Sequence, residues 1–158
     1  MTGIVVPTEQ EFAEEDSEYV ASPALEDMAR EIIERLPGLG AAERATILYR
    51  WKRKGGESAG REVWGKCKKA SQLERHLTDA DFIIWLAADY CQRFGNQRIA
   101  ALLHHELRHI GLDDKGRLII VGHEYEGFLA DLEHYGAWSP GLTAMVGMAQ
   151  QLRLPLPA

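Results

Sequence analysis

The sequence predicts an α+β domain in which a small β-sheet packs against helices, and three observations support this class. Residues 45–88 contain short runs rich in apolar, aromatic and β-branched side chains, which is typical of buried strands. Residues 22–36 and 96–110 instead carry apolar side chains at intervals of three and four, which is the period of an amphipathic helix. Five of the six histidines lie within residues 104–134, so one largely helical region concentrates the imidazoles.

The composition is that of an ordinary globular protein. With 158 residues, 46% hydrophobic and 27% charged, the chain suffices for one domain with a sizeable core and is too apolar to be disordered throughout. The formal charge of −6 argues against a dedicated nucleic-acid coat, because such proteins are basic. No uncharged apolar run approaches the roughly 18 residues of a membrane span, so we expect a soluble protein without a membrane partner.

Cysteine usage and the N-terminus bear on location. Cys67 and Cys91 are too few for a disulfide framework or a four-cysteine zinc site, so they are expected to be reduced packing residues. The first ten residues lack the basic segment and long apolar run of a secretory signal. The sequence therefore predicts a cytoplasmic protein.

The first 21 residues are predicted to form an acidic, mobile leader, because Glu and Asp dominate there and apolar anchors are few. Residues 22–158 are assigned to a single domain. This domain opens with a helix over residues 22–36, which a Ser-Pro pair begins and a Pro-Gly pair ends.

The middle of the domain is predicted to be sheet. Residues 45–51 are apolar and aromatic and precede a basic, Gly-rich turn at residues 52–60. Residues 61–70 alternate in polarity, so they are predicted to return as the second strand of a hairpin. A short helix is predicted over residues 71–77, and the apolar run at residues 81–88 is expected to be a well-buried strand.

Helices dominate the remaining sequence. Apolar residues repeat at helical spacing over residues 96–110, and Gly111 is expected to end this helix. A turn and a short strand are predicted within residues 113–121. They are followed by a helix over residues 124–135 and a last helix over residues 139–152.

The helix over residues 96–110 contains His105-Glu106-Leu107-Arg108-His109, which matches the pattern HExxH. Histidines four residues apart are separated by only about 40° around a helix, so both imidazoles can reach one metal ion. Glu106 lies beside them, where its carboxylate can take a proton from water rather than bind the metal. Zinc suits imidazole ligands with one open coordination position, so the motif predicts a catalytic zinc site.

A catalytic zinc site needs a third protein ligand. His123 is favoured, because the 14-residue step from His109 leaves room for a turn and one short strand before the chain returns to the metal. Glu126 is the alternative, as a ligand or as a residue that orients one, since it lies about one helical turn further on and zinc also accepts carboxylates.

Residues 47–138 resemble the putative phage metallopeptidase family, which is related to the SprT-like and YgjP-like zincins. The segments that carry the resemblance are VWGK at 63–66, DFII at 81–84, AALLHHELRH at 100–109, GHEYEGF at 122–128 and Tyr135-Gly136. The family's second motif is usually Gly-His-Asp followed by an acidic residue and Phe, and its histidine is the third ligand. This implies the same role for His123. The sequence departs from the family pattern at His104, Glu124 and Gly127.

The resemblance implies a zincin-like fold, with a small twisted sheet on the HExxH helix and a peptide or protein substrate that adds to the edge strand. Either the strand at residues 81–88 or the hairpin before it would be that edge. The implied reaction is peptide hydrolysis, in the host cytoplasm if the protein is phage-encoded. Zinc activates the attacking water, and Glu106 is the general base. The candidate oxyanion donors are Tyr125, Tyr135 and Arg108.

The alternative function is a non-catalytic zinc-bearing module that holds a peptide or protein in the groove without cutting it. The intact Glu106 argues against this alternative. Association with DNA is a further alternative, through the basic clusters at residues 52–54 and 66–69. Two solvated faces of a hairpin explain these clusters more simply.

Overall fold

The computed structural model describes residues 3–123 and 129–152. The chain divides into two units, Met1–Val121 and Gly122–Ala158. None of the described helices is both long enough and apolar enough to cross a membrane.

The first unit begins with helix α1 (Glu9–Glu14) and strand β1 (Tyr19–Ala21). The Thr8 N–H donates to the Glu11 carboxylate at 2.7 Å at the start of α1, and Phe12 is buried. β1 pairs antiparallel with the next long strand. The predicted leader therefore contains a helix and a strand. The sequence did not indicate them, because one buried Phe and a three-residue strand form too short an apolar pattern to be recognised.

Two helices follow, α2 (Pro23–Arg35) and α3 (Gly40–Arg44). The side chain of Ser22 accepts the Leu25 N–H at 3.2 Å, so the predicted N-cap is confirmed. The buried side of α2 carries Leu25, Met28, Ala29 and Ile32, at the spacing that predicted the helix.

The next elements build the main sheet and a small hairpin. In chain order they are β2 (Ile47–Lys52), β3 (Glu57–Ser58), β4 (Arg61–Glu62), β5 (Gly65–Lys69), α4 (Gln72–Thr78) and β6 (Phe82–Ala87). Among the described strands, β3 pairs only with β4, whereas the main sheet has the order β1-β2-β6-β5. β6 runs parallel to β2 and antiparallel to β5.

This order overturns the predicted hairpin between residues 45–51 and 61–70. β2 and β5 are not neighbours, because β6 lies between them. Five of the six β6 side chains are buried, on both faces of the strand, so β6 belongs at the centre of the sheet. Within the main sheet, β5 is an edge strand.

The two faces of the main sheet differ in chemistry. Residues opposite one another on paired strands point to the same face, so Tyr49, Ile84 and Cys67 share the inner face. All three are buried in the core, where α2 and α6 (Asn96–Arg108) pack against the sheet. The outer face instead carries Arg50 and Lys66 on either side of Trp85.

The short helix α5 (Ala88–Cys91) precedes α6, and the hairpin of β7 (Ile110–Leu112) and β8 (Leu118–Ile120) follows it. The prediction that helix α6 reaches residue 110 is wrong, since Ile110 already pairs with Ile120 in the hairpin. Gly111 lies within β7 rather than ending a helix. A Cβ there would come within 2.6 Å of Val121 Cγ1, so glycine permits the close approach of the two chain segments.

The second unit contains helices α7 (Leu129–Tyr135) and α8 (Pro140–Leu152). The helix predicted over residues 124–135 is found from Leu129 onward, and residues 124–128 lie outside the described residues. The start of α8 is as predicted, with the Leu142 N–H donating to the Ser139 hydroxyl at 3.3 Å.

Candidate metal centre

Helix α6 carries the first four residues of the HExxH motif at its C-terminus, and His109 follows as the C-cap. Ile99, Leu103 and Leu107 are buried on the side of the helix that faces the core. His105 lies on the exposed side, while Glu106 is buried although it is charged. The apolar stripe of the helix therefore sets which way the two functional side chains point.

His109 lies at the C-cap of α6, where the main chain of Val121 holds it from two sides. The His109 Nδ1 lies 2.7 Å from the Val121 carbonyl oxygen, and the Val121 N–H donates to the His109 carbonyl, also at 2.7 Å. A carbonyl can only accept a hydrogen bond, so Nδ1 carries the proton and the lone pair of the neutral ring lies on Nε2. A backbone carbonyl on the other ring nitrogen is a common way to orient a metal-binding histidine.

His123 follows Val121 after a single glycine, so the chain itself keeps it near His109. Nitrogen atoms of His105, His109 and His123 all lie within 4.8 Å of one another. The rings of His105 and His109 are 5.1 Å apart between centroids and inclined at 83°. Of the predicted site residues, the structure brings these three histidines together.

The donor set fits a zinc ion. Zinc–nitrogen bonds of about 2.0–2.1 Å place ligand atoms about 3.4 Å apart in a tetrahedron. The three imidazoles, with nitrogens within 4.8 Å of one another, could hold one such ion. Three imidazoles leave one coordination position for water or substrate, which is the pattern of a catalytic zinc site rather than a structural one.

Glu106 lies between α6 and the edge strand β5. It is 5% exposed and is the one buried charged side chain among the described residues. Its Oε1 lies 3.3 Å from the position that a Cβ on Gly65 would occupy. Burial, and secondarily the charge of Glu106, raise the pKa of the Cys67 thiol to about 12. Cys67 is therefore a neutral packing residue and not a nucleophile.

The structure resolves which strand forms the edge beside Glu106. The residues that flank β5, Trp64 and Ala70, both form main-chain hydrogen bonds on the β6 side: the Ala87 N–H donates to the Trp64 carbonyl at 2.7 Å, and the Ala70 N–H donates to the Asp81 carbonyl at 2.9 Å. The even-numbered residues of β5 therefore turn their main-chain groups toward β6. The alternation of an antiparallel ladder then turns the main-chain groups of Gly65, Cys67 and Lys69 outward. No described strand pairs with this edge.

The other predicted site residues are Tyr125, Glu126, Tyr135 and Arg108. Tyr125 and Glu126 lie outside the described residues. Tyr135 is an exposed residue of α7 in the second unit. The guanidinium Nη1 of Arg108 lies 3.7 Å from the Cβ position of Gly38, in the turn between α2 and α3.

Two contributors to the site were not identified from the sequence. The carbonyl of Val121 orients His109, and a main-chain group leaves no signal in the residue type. Gly65 leaves space for the Glu106 carboxylate, and its only trace in the sequence is a glycine inside an alternating strand.

A family model described as "Putative phage metallopeptidase" matches residues 17–150. The match runs from the residues before β1 into α8, and it contains the three clustered histidines and Glu106. No curated protein and no solved structure matches the chain.

Proposed function

The chain belongs to the family described as "Putative phage metallopeptidase", and on that premise we propose that it is a zinc-dependent peptidase with His105, His109 and His123 as ligands. The observation that carries the proposal is the approach of the three imidazoles within 4.8 Å on and beside the HExxH helix. The small sheet above that helix supports a zincin-like fold as part of the same proposal.

Zinc held by the three imidazoles would supply a Lewis acid that polarises the scissile carbonyl and acidifies the attacking water. Glu106 acts as the general base and afterwards returns the proton to the leaving amine. Its burial beneath β5 keeps bulk water away from the carboxylate and holds it in one place. The hydrogen bond from His109 Nδ1 to Val121 keeps Nε2 available as a ligand atom through the reaction.

The substrate is proposed to bind as an added strand along the outer edge of β5. An extended peptide there would pair with the outward main-chain groups of Gly65, Cys67 and Lys69. Because Glu106 Oε1 lies beside Gly65, the scissile bond would lie at the Gly65 end of the strand. Main-chain pairing of this kind supplies affinity for an extended peptide, whereas the side chains that face β5 set the register and the preferred sequence.

The test is the variant Glu106→Gln, which keeps the shape of the side chain and removes the base. We expect full zinc content by metal analysis, together with a loss of peptide cleavage of at least about 10²-fold. His109→Ala is the comparison, because it removes a ligand and is expected to lose the metal.

Undiminished cleavage by Glu106→Gln would show that this carboxylate is not the base. An unaltered chain that binds zinc and peptides but yields no products from a broad peptide library would instead support the non-catalytic binding module.

A further inference from the structure

The outer face of the main sheet carries a basic strip, formed by Arg50, Lys52, Lys66 and Lys68. In the sheet register Arg50 lies opposite Trp85, Trp85 lies opposite Lys66, and Lys68 lies opposite Ile83. The Nζ of Lys52 lies 4.6 Å from the centre of the Trp85 ring. No acidic residue belongs to the outer face of the four strands, although the whole chain has a formal charge of −6.

The basic strip reaches the edge where the substrate is proposed to bind. Lys66 is exposed, and Lys68 forms an ion pair with Glu74 of α4 at 2.7 Å. Since Gly65, Cys67 and Lys69 supply the outward main-chain groups, Lys66 and Lys68 occupy the non-hydrogen-bonded positions facing an added strand. Side chains at those positions approach one another more closely than at the hydrogen-bonded ones.

We propose that the substrates are acidic peptides, with Asp or Glu at the position whose side chain lies opposite Lys66 and a second acidic position opposite Lys68. This inference rests on the proposed function, because it takes β5 as the strand that binds substrate. A cross-strand pair of opposite charges stabilises the bound peptide, and like charges destabilise it. Lys66 is the stronger determinant, since Glu74 already partly neutralises Lys68.

The geometry favours a peptide over a nucleic acid as the occupant. Proteins that bind single-stranded nucleic acid combine cations with accessible aromatic rings on which bases stack. Trp85 is only 7% exposed and lies beneath Lys52, so it offers no such surface. Lys66 instead lies next to Gly65, at the end of β5 that is closest to Glu106.

The test uses the zinc-loaded full chain and three peptides that differ only in carrying acidic, neutral or basic residues around a bond cleaved in a peptide library. We expect kcat/KM to be several-fold higher for the acidic than for the basic peptide. Lys66→Glu turns an attractive pair into a repulsive one, so we expect the acidic-to-basic ratio to fall by at least about fivefold. Arg35→Glu makes the same charge change at an exposed position of α2, which packs against β2 and α6, and it is expected to keep the ratio.

Cleavage of all three peptides with equal kcat/KM, or a ratio that Lys66→Glu leaves unchanged, would overturn this inference and leave the proposed function intact. Absence of cleavage of every library peptide would overturn the proposed function, and this inference with it. Inhibition by single-stranded DNA that Lys66→Glu abolishes, with no peptide preference, would assign the basic strip to nucleic acid instead.

Discussion

At the scale of single residues, the site depends on contacts that fix two side chains in position. The main chain of Val121 accepts from the His109 ring and donates to the His109 carbonyl, which sets both the tautomer and the place of the imidazole. Glu106 is held in a comparable way by lack of space, because β5 passes directly beside its carboxylate. A ligand and a base that are positioned before substrate binds need little reorganisation during the reaction.

Gly65 is the residue whose replacement tests this positioning. A Cβ there would lie 2.9 Å from Leu86 Cδ2, 3.1 Å from the Trp85 carbonyl oxygen and 3.3 Å from Glu106 Oε1. Gly65→Ala is therefore expected to shift β5 or the Glu106 carboxylate. We expect kcat/KM for peptide cleavage to fall by at least about tenfold, as small misplacements of catalytic groups do. Zinc content should stay unchanged.

Gly40→Ala is the matched control, since a Cβ at Gly40 meets no atom within 4 Å. It should keep its activity. Full activity of Gly65→Ala would show that the contact between β5 and Glu106 does not position the base.

At the scale of elements, the β7–β8 hairpin supplies the geometry around the second and third histidines. It reverses the chain after α6 and returns Val121 to His109, and His123 follows two residues later. Asp113 holds the turn, where its carboxylate accepts the N–H groups of Lys115 at 2.9 Å and Arg117 at 2.8 Å. These hydrogen bonds lower the pKa of Asp113, so the carboxylate stays charged. The bond from the Arg117 main chain contributes most.

Asp113→Ala tests whether the hairpin prepares the metal site. No ligand is removed, but the turn loses its hydrogen bonds, so Val121 and His123 should be held less firmly. We expect the zinc Kd, measured by competition with a chelating dye, to rise by up to about tenfold. The neighbouring substitution Asp114→Ala should leave the Kd unchanged. An equal Kd in both variants would mean that the hairpin forms without Asp113.

Elements with a local apolar pattern were predicted correctly, whereas the pairing of the strands was not. The strand at residues 81–88, the helix capped by Ser22 and the helix that begins at Pro140 are confirmed, because each is a local apolar pattern with its own start signal. The hairpin prediction was wrong because it joined neighbours in sequence. The apolar strand β6, from further along the chain, takes the central place between them.

At the scale of the whole molecule, the core buries several groups that ionise in alkali. Burial raises the pKa of the Cys67 and Cys91 thiols to about 12 and that of the Tyr49 phenol well above its usual range. The negative charge of Glu26 is a secondary cause of the raised pKa of Tyr49. All three groups stay neutral in the folded state at pH values where an unfolded chain would ionise them.

The free energy of unfolding is therefore expected to fall with rising pH. The raised folded pKa values mean that the full stability is present below about pH 8.5, the thiol pKa of an unfolded chain, and is lost as the pH approaches 12. The slope should reach about 1.4 kcal/mol per pH unit for each thiol. Urea titrations between pH 7.5 and 10.5 in a reductant would measure it. Cys91→Ala removes one buried thiol, so it should reduce the slope by the contribution of that thiol. A free energy of unfolding that stays constant up to pH 10.5 would contradict the prediction.

The sequence by itself predicted the chemistry that is proposed for the candidate site. The spacing of His105 and His109 is a property of one helix, so the pattern HExxH implied two ligands and a base, and the return distance to His123 suggested the third. Only the tertiary structure decided that β5 is the edge strand, that Gly65 borders Glu106 and that Val121 orients His109. The physical reason is that periodicity and spacing are local, whereas strand order and main-chain hydrogen bonds join residues far apart in the chain without requiring a particular side chain.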